Sequence, residues 1–528
     1  MGGVHNWTIG DSGVDSNCAS PNDFIITVKT DNEGDSDDNQ FIVPTNGVGY
    51  NYDVDCDSDG TNEATAQTGS YICNYGSAGT YTIRIAGTFP RISMEDQGDE
   101  LKLLSVEQWG TNAWTTMADA FYECENLVIN AADLPDLSGV TDMGSMFSGA
   151  SSFNSDISNW DVSNVTDFNA LFRSTAFNQD ISGWDMSSAT NINYMFYQAA
   201  SFNQDISSWN VSSVLDMSGL FGSSNPTFCN NVDLSSWNTS KVTHMGSMFT
   251  QVDCNNNSVI NWDTSKVTRM DSMFLDNGTF NQDLSNWDVS SLETTSYMFR
   301  NSPSFNQNLS NWDVSNAINM RGMFNSATNF NQDISSWNTG SVTSMNYMFN
   351  LASNFNQDIG NWDTADVTDM NGMFMHATAF DQDLSSWSVA NVTDLTSMFF
   401  NVTLSTANYD SLLNGWNSQI LQPGEAFSGG DSLYCATTAH DNMTDAGAHN
   451  WTITDGGVDP ACPAAGKDDL FIHNKANGNY HVFKVNTAGN LLERVLRGNW
   501  AGDWSFMTGD YNGDGKDDLF IHNKANGN

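Results

Sequence analysis

The stretch Phe330-Asn331-Gln332-Asp333-Ile334-Ser335-Ser336-Trp337, followed by Val342-Thr343 and Met348-Phe349, decides how this chain is read. It is one copy of a recurring unit. The copies are marked by Trp160, Trp184, Trp209, Trp237, Trp262, Trp287, Trp312, Trp337, Trp362 and Trp387, spaced 24, 25, 28 and then 25 residues apart. A phenylalanine stands twelve residues after each of these tryptophans, from Phe172 to Phe399. A fixed period in the twenties means units that bury apolar surface only against their neighbours. Phe330, Ile334 and Trp337 fall on the inward positions of an extended segment. Asn338 to Ser341 is a turn by composition. Thr343, whose place is held by threonine in seven of ten units, suits an N-cap. Met345, Met348 and Phe349 at i, i+3, i+4 suit one helical turn. The expected fold is therefore α/β: a solenoid with one short parallel strand and one short helical turn per 25-residue unit.

Two polar columns accompany this spine. One is Asn-Gln-Asp before the aliphatic residue, as in Asn178-Gln179-Asp180 and Asn356-Gln357-Asp358; the other is Asp or Asn directly after the tryptophan. Carboxylates stacked at strand spacing repel unless hydrogen-bonded or bridged by cations. Either they tie down backbone groups in the turns, or they form a face for a glycan, a protein or bridging Ca²⁺.

The totals narrow the function classes. A net charge of −46, from 63 acidic and 17 basic side chains, excludes a phosphate-binding protein built on clustered Lys and Arg, hence nucleic acid. Aromatics at 12% exclude a disordered acidic tail. No apolar run reaches the length of a transmembrane helix, and Met1-Gly-Gly-Val-His-Asn-Trp is not a signal peptide. Val4 to Cys18 is echoed by Ala448 to Cys462, and the chain stops inside a second copy of Lys467-Asp468-Asp469-Leu470-Phe471-Ile472-His473. It reads as a piece of a longer tandem-module protein. The divisions expected are 1–18, the tail of a preceding module; 19–90, a small β-sandwich; 91–137, an N-terminal cap with irregular repeats; 138–405, the repeat array; 406–462, a C-terminal cap holding Leu412, Leu413 and Trp416; and 463–528, a truncated second repeat type.

Eight cysteines are present. Cys229 and Cys254 occupy one column on adjacent units, within disulfide reach. Cys56–Cys73 would staple the small β domain and Cys435–Cys462 the C-terminal cap, leaving Cys18 with a partner upstream and Cys124 as a buried thiol. Such cysteines suit an oxidising, extracellular setting. Two acidic loops have calcium-loop spacing. Asp55, Asp57, Asp59, the Thr61 carbonyl and Glu63 alternate, with Gly60 for the turn; Asp510, Asn512, Asp514, the Lys516 carbonyl and Asp518 do the same. A solvated acidic turn is the alternative at both.

No Gly-rich phosphate loop or His-Glu-x-x-His stands in the sequence, and no catalytic residue is singled out. The expected function is non-catalytic: an extracellular binding or adhesion module for a glycan or protein. The alternatives are a structural spacer in a surface protein and a polysaccharide-active enzyme with a carboxylate pair in the acidic columns.

The 25-residue unit, with Phe-Asn-Gln-Asp-Ile-Ser, Trp-Asp-Val-Ser, Val-Thr-Asp-Met and Met-Phe, resembles the BspA-like leucine-rich-repeat surface proteins of bacteria, which overlap with the repeat domain noted in mycoplasma lipoproteins. The resemblance spans about 91–462. Ala78-Gly79-Thr80-Tyr81-Thr82-Ile83 is similar to polycystic-kidney-disease-type (PKD) Ig-like domains. Residues 467–528 resemble FG-GAP/VCBS propeller blades, whose calcium loop maps onto Asp510, Asn512, Asp514, Lys516 and Asp518. These likenesses imply a leucine-rich-repeat-like solenoid, a β-propeller-like C-terminal segment and a secreted or surface-anchored bacterial protein used in adhesion.

Overall fold

The computed structural model describes residues 20–95, 98–226, 228, 232–252 and 259–462, together with the backbone of strands within 471–523. The chain divides into two compact units, Met1–Gly456 and Gly457–Asn528.

The first unit opens with small sheets. Strands β1 (Phe24–Lys29), β2 (Gln40–Val43), β3 (Asn51–Asp55), β4 (Ala64–Gln67), β5 (Tyr71–Asn74), β6 (Thr80–Thr88), β7 (Leu103–Gln108) and β8 (Val128–Ile129) form a six-stranded sheet of order β4-β3-β6-β1-β7-β8 and a separate β2-β5 pair. β1 buries Phe24, Ile25, Ile26 and Val28, and β6 buries Ile83 and Ile85 at alternate positions. β7 pairs antiparallel with β1 and parallel with β8. The sheet thus runs across the 90/91 boundary, and Trp109 and Trp114 link its core to the first repeat units through Phe24 and Trp160. Lys102 is fully buried beside Asp99; its ammonium donates to the carbonyls of Ser36, Asp37 and Gln40, and Asp99 accepts from the Ser36 and Ile42 N–H groups. That satisfied pair clamps the loop after β1 to the turn before β7.

The repeat region is not the leucine-rich-repeat-like solenoid that the period suggests. Among the described residues of 138–405 there is no strand and only one helical position, Phe228. The helices Thr406–Asn417 and Thr437–Thr444 both lie after the repeats. Each unit is coil and turn, joined to the next by a single parallel bridge: Asp142, Asp167, Asn191, Asp216, His244, Arg269, Thr294, Asn319, Ser344, Asp369 and Asp394 bridge in succession.

The reason lies in the backbone. In the quoted unit the N–H groups of Met345, Tyr347, Phe349 and Leu351 donate to carbonyls of the next unit, at Asp369, Asn371, Met373 and Met375. The intervening Met348, Asn350 and Ala352 donate three residues back instead. Tyr347 and Leu351 have φ of 56° and 60°. A left-handed residue every fourth position cannot continue an α-helix; it makes successive tight turns, as a type II turn demands at its third residue. The Met and Phe side chains still converge inward, because the turns repeat at nearly helical spacing. We call this segment the turn ladder.

Other contacts complete the stack. Phe147, Phe172, Phe196, Phe221, Phe249, Phe274, Phe299, Phe324, Phe349, Phe374 and Phe399 form a file of near-parallel rings, 5.7 Å apart between Phe324 and Phe349. The Trp337 indole N–H donates to the Leu309 carbonyl at 3.0 Å and that of Trp362 to Ile334 at 3.1 Å, the same reach into the preceding unit that Trp184 to Trp387 all make. Trp416, on the helix Thr406–Asn417, repeats it toward Leu384. Ser405 caps that helix through the Asn408 N–H. Thr343 is no N-cap: its hydroxyl donates to the Ile318 carbonyl of the preceding unit. Thr368 and Thr393 do likewise, so the threonines are rungs.

In the second unit, Phe471–Ile472, Asn479–Val485 and Leu491–Asn499 form a three-stranded sheet and Trp504–Gly509 pairs with Asp518–Asn523. Neither is the four-stranded blade that a propeller requires, so the expected propeller-like segment is also corrected among the described residues.

Candidate functional site

The polar columns flagged by the sequence are occupied with holding the coil. Asn331 Oδ1 accepts from the Asn356 N–H and from the Gln357 side chain one unit on; Asn306 serves Asn331 and Gln332 in the same way. These side chains give the backbone what a ladder of strands would otherwise supply, which is why no strand forms there. The carboxylates close Asx turns. Asp161 is held below the ordinary carboxylate range by the Ser163 hydroxyl and then its N–H, and Asp180 by the Ser182 N–H and then its hydroxyl. The same shift, from the serine two residues on, recurs at Asp156, Asp185, Asp233, Asp263, Asp283, Asp313 and Asp333.

The turn ladder varies from unit to unit, although the Asp and Asn at its bridge position also close Asx turns, Asp142 to the Gly144 N–H and Asn319 to the Arg321 N–H. Its bridge position carries Asp, Asn, His, Arg, Thr or Ser, and its first left-handed position carries Ser145, Ala170, Tyr194, Gly219, Ser247, Ser272, Tyr297, Gly322, Tyr347, Gly372 and Ser397. Each tyrosine in that file is followed one unit later by glycine. A Cβ at Gly219, Gly322 or Gly372 would sit 2.4, 2.5 or 2.6 Å from the ring of Tyr194, Tyr297 or Tyr347. The rings lie on the glycines. The four arginines of the repeat region, Arg173, Arg269, Arg300 and Arg321, also fall on the turn ladder. Arg173 lies over Tyr197, 5.9 Å from its ring centre, and Tyr197 meets Tyr194 edge-on. Arg300 and Arg321 flank Tyr297 at 5.3 and 5.4 Å. Arg173, Tyr194 and Tyr197 line a cavity of about 390 Å³ with Ser145, Asn169 and Ala170; Tyr194, Asp216, His244, Arg269 and Asp271 help line another of about 280 Å³. Polar, aromatic and cationic groups that vary from unit to unit on one surface are what a binding face needs. The signal in the sequence is the Tyr-then-Gly pairs 25 residues apart, which lie off the invariant columns.

At the N-terminal acidic loop, carboxylate oxygens of Asp55, Asp57, Asp59 and Glu63 lie within 4.8 Å of one another. Asp55 is buried and shared: its Oδ2 accepts from Arg84 at 3.1 Å and from the Gly60 N–H, and Arg84 also grips Asp23 at 2.7 Å. Glu63 accepts from the Cys56 N–H at 2.6 Å. The Thr61 N–H donates to Asp59. The four carboxylates are of the hard-oxygen type that divalent cations take, while the Arg84 guanidinium on Asp55 competes with one. Cys56 and Cys73 form a disulfide with Cα atoms 5.7 Å apart, anchoring the loop to β5. Cys435 and Cys462 are each disulfide-bonded, and Cys124 is a buried free thiol whose pKa burial pushes up. Cys229, Cys254, Asp510, Asn512, Asp514 and Lys516 lie outside the described residues, and of Asp518 only the strand backbone is described.

No helix among the described residues is long and apolar enough to cross a membrane. No curated protein and no solved structure matches the chain. One family model does, three times, over residues 115–232, 224–327 and 304–416, and these matches together take in the tryptophan ladder, the phenylalanine file and more than half of the chain. The chain belongs to the family described as "Mycoplasma protein of unknown function, DUF285".

Proposed function

We propose that the repeat array is a non-catalytic binding or adhesion module of a bacterial surface or secreted protein, taking a glycan or protein ligand on the turn ladder. One observation carries this reading. The columns that hold the coil are uniform and hydrogen-bonded, whereas tyrosine, arginine and histidine are concentrated on the turn ladder, where the backbone bonds between units do not use those side chains. The Cys56–Cys73 disulfide supports an extracellular setting. Ca²⁺ held by Asp55, Asp57, Asp59 and Glu63, with a carbonyl from Thr61, would stiffen the neighbouring β domain. In this reading further modules of the same polypeptide, such as a PKD-like domain, present the array to its ligand.

The test is a panel of glycans and matrix proteins against the whole chain and a Tyr194→Ser/Tyr297→Ser/Tyr347→Ser variant. Loss of binding with retained fold supports the module. A ligand that survives these changes but is lost on altering the Asn-Gln-Asp column would move the site. A chain that captures nothing while still spanning a surface supports the spacer reading, which the saturation of the Asn and Asp columns favours.

A further inference from the structure

Resting on that reading, we infer that Tyr297, Arg300 and Arg321 form a receptor for the anionic groups of an acidic polysaccharide, one that bears carboxylate or sulfate along an extended chain. The two guanidiniums approach one ring, at 5.3 and 5.4 Å from its centre. The backbone fixes all three residues. The Tyr297 N–H donates to the Arg321 carbonyl at 2.8 Å, the Arg300 N–H donates to the Tyr297 carbonyl at 3.1 Å, and the Tyr297 ring lies against Gly322. The side chains of both arginines are exposed.

Among the described residues neither arginine forms an ion pair, although the chain carries 63 acidic residues. The acids nearby are engaged elsewhere. Asp271 takes Arg269 at 3.2 Å, and Asp276 takes the Asn301 amide at 2.9 Å. Asp369 feels Arg321 electrostatically without reaching ion-pair distance. The bridge file also changes sign here. It is acidic at Asp142, Asp167 and Asp216 and again at Asp369 and Asp394, but reads His244, Arg269, Thr294, Asn319, Ser344 between them. Two cations held on one aromatic ring repel each other until an anion lies between them, and planar guanidiniums accept carboxylate or sulfate oxygens in pairs.

The second arginine–tyrosine station argues for a polymer. Tyr194 and Tyr297 stand in one file, four units apart, which at the ~4.8 Å spacing of bridged chains is roughly 19 Å. Arg173 waits there over Tyr197. Only an extended chain touches both, and its uncharged stretches can lie over Gly219, Ser247 and Ser272 between.

The experiment uses the whole chain on a biosensor with heparin, polygalacturonate, neutral dextran and poly-glutamate as probes. Heparin and polygalacturonate should bind, dextran and poly-glutamate should not, and raising the salt should weaken binding. Arg300→Gln/Arg321→Gln should weaken both polysaccharides by roughly tenfold or more, since each lost charge-assisted contact is worth about that factor. Lys241→Gln/Lys266→Gln removes the same charge from exposed positions off the ladder and should leave binding unchanged. Equal losses in the two variants, no loss in the first, or equal retention of poly-glutamate would overturn the inference. A chain that binds only a neutral glycan or a protein sinks this inference and leaves the binding-module reading standing; a chain that binds no ligand at all sinks both.

Discussion

Gly322→Ala is the most informative single change in the repeat, because its cost has two separable parts. Gly322 has φ of 55°, so any Cβ there carries the left-handed penalty, about 1 kcal/mol for alanine. The file shows that this part is tolerable: Ala170 and Ser272 sit at φ of 52° and 57°. The residues one unit before them are Ser145 and Ser247. Gly322 differs because Tyr297 precedes it, and a Cβ would stand 2.5 Å from two ring carbons. That ring has Arg300 and Arg321 beside it and a backbone fixed on both sides, so relief by rotation is restricted. Overpacking of this kind costs about 1–3 kcal/mol. Gly322→Ala should therefore destabilise by about 2–4 kcal/mol in the native background, but by only about 1 kcal/mol beside Tyr297→Ser. The coupling, at least about 1 kcal/mol, is read from a double-mutant cycle. Urea unfolding followed by tryptophan fluorescence is a suitable signal, since the ladder tryptophans are buried. If Gly322→Ala costs the same with serine at 297, the ring does not rest on the glycine and the pairing rule is an accident of sequence.

Three further outcomes are expected. Trp337→Phe keeps a ring but removes one of the two donors to the Leu309 carbonyl, leaving the Trp312 N–H, and trims a buried side chain; it should cost about 1–3 kcal/mol in the same assay. If Asp55, Asp57, Asp59 and Glu63 hold Ca²⁺, millimolar calcium should raise the melting temperature, and Asp57→Asn/Asp59→Asn should remove the shift; an unchanged melting curve in the native chain counts against the site. Burial, aided by Glu95 and opposed by Arg91, pushes the Asp119 carboxyl up to about 6. The folded chain then binds a proton that the unfolded chain releases nearer pH 4, so stability falls as pH rises from about 4 through about 6. Asp119→Asn, which suits the left-handed φ of 56° there, should flatten that slope and raise stability at pH 7; an unaltered profile between pH 4 and 7 would refute the assignment.

The spine was legible in the sequence because burial leaves a periodic record: Phe330, Ile334, Trp337, Met345, Met348 and Phe349 are all buried. The local backbone was not legible. Met345, Met348 and Phe349 share a face whether the chain coils as a helix or as consecutive turns, and side-chain periodicity cannot tell a helix from turns of similar pitch. The distinguishing residues, Tyr347 and Leu351, are not types that announce a left-handed φ. Thr343 misled for a related reason: a hydroxyl before an apolar run suits a cap, but stacking brings the Ile318 carbonyl closer than any N–H of its own turn. At the candidate sites, alternate acidic residues did converge at Asp55, Asp57, Asp59 and Glu63, because loop spacing is a local property. The arginine–tyrosine stations depend on register between units, a non-local property carried only by glycines such as Gly322.

That distinction explains where recognition can reside on such a stack. A carboxylate such as Asp161, tied to the Ser163 hydroxyl and N–H, must break its Asx turn before it can serve a ligand fully. An asparagine such as Asn331 already accepts from two partners in the next unit and would open the coil if drawn away. The outward tyrosines and arginines of the turn ladder have no such constraint, since the coil is held there by backbone N–H and carbonyl groups, as at Met345, Tyr347, Phe349 and Leu351, and by the Asx turns of bridge residues such as Asn319 and Asp369. Its outward side chains, apart from the Asp and Asn that close Asx turns at the bridge position, can change without changing the fold, provided that a ring is answered by a glycine one unit later. Selection for a ligand therefore acts most freely there. A library randomised at Arg173, Tyr297, Arg300 and Arg321 should retain cooperative unfolding in most members, whereas one randomised at Asn306, Asn331 and Asn356 should not. The reverse outcome would place the stack's stability in the ladder side chains and remove the ground for assigning them to binding.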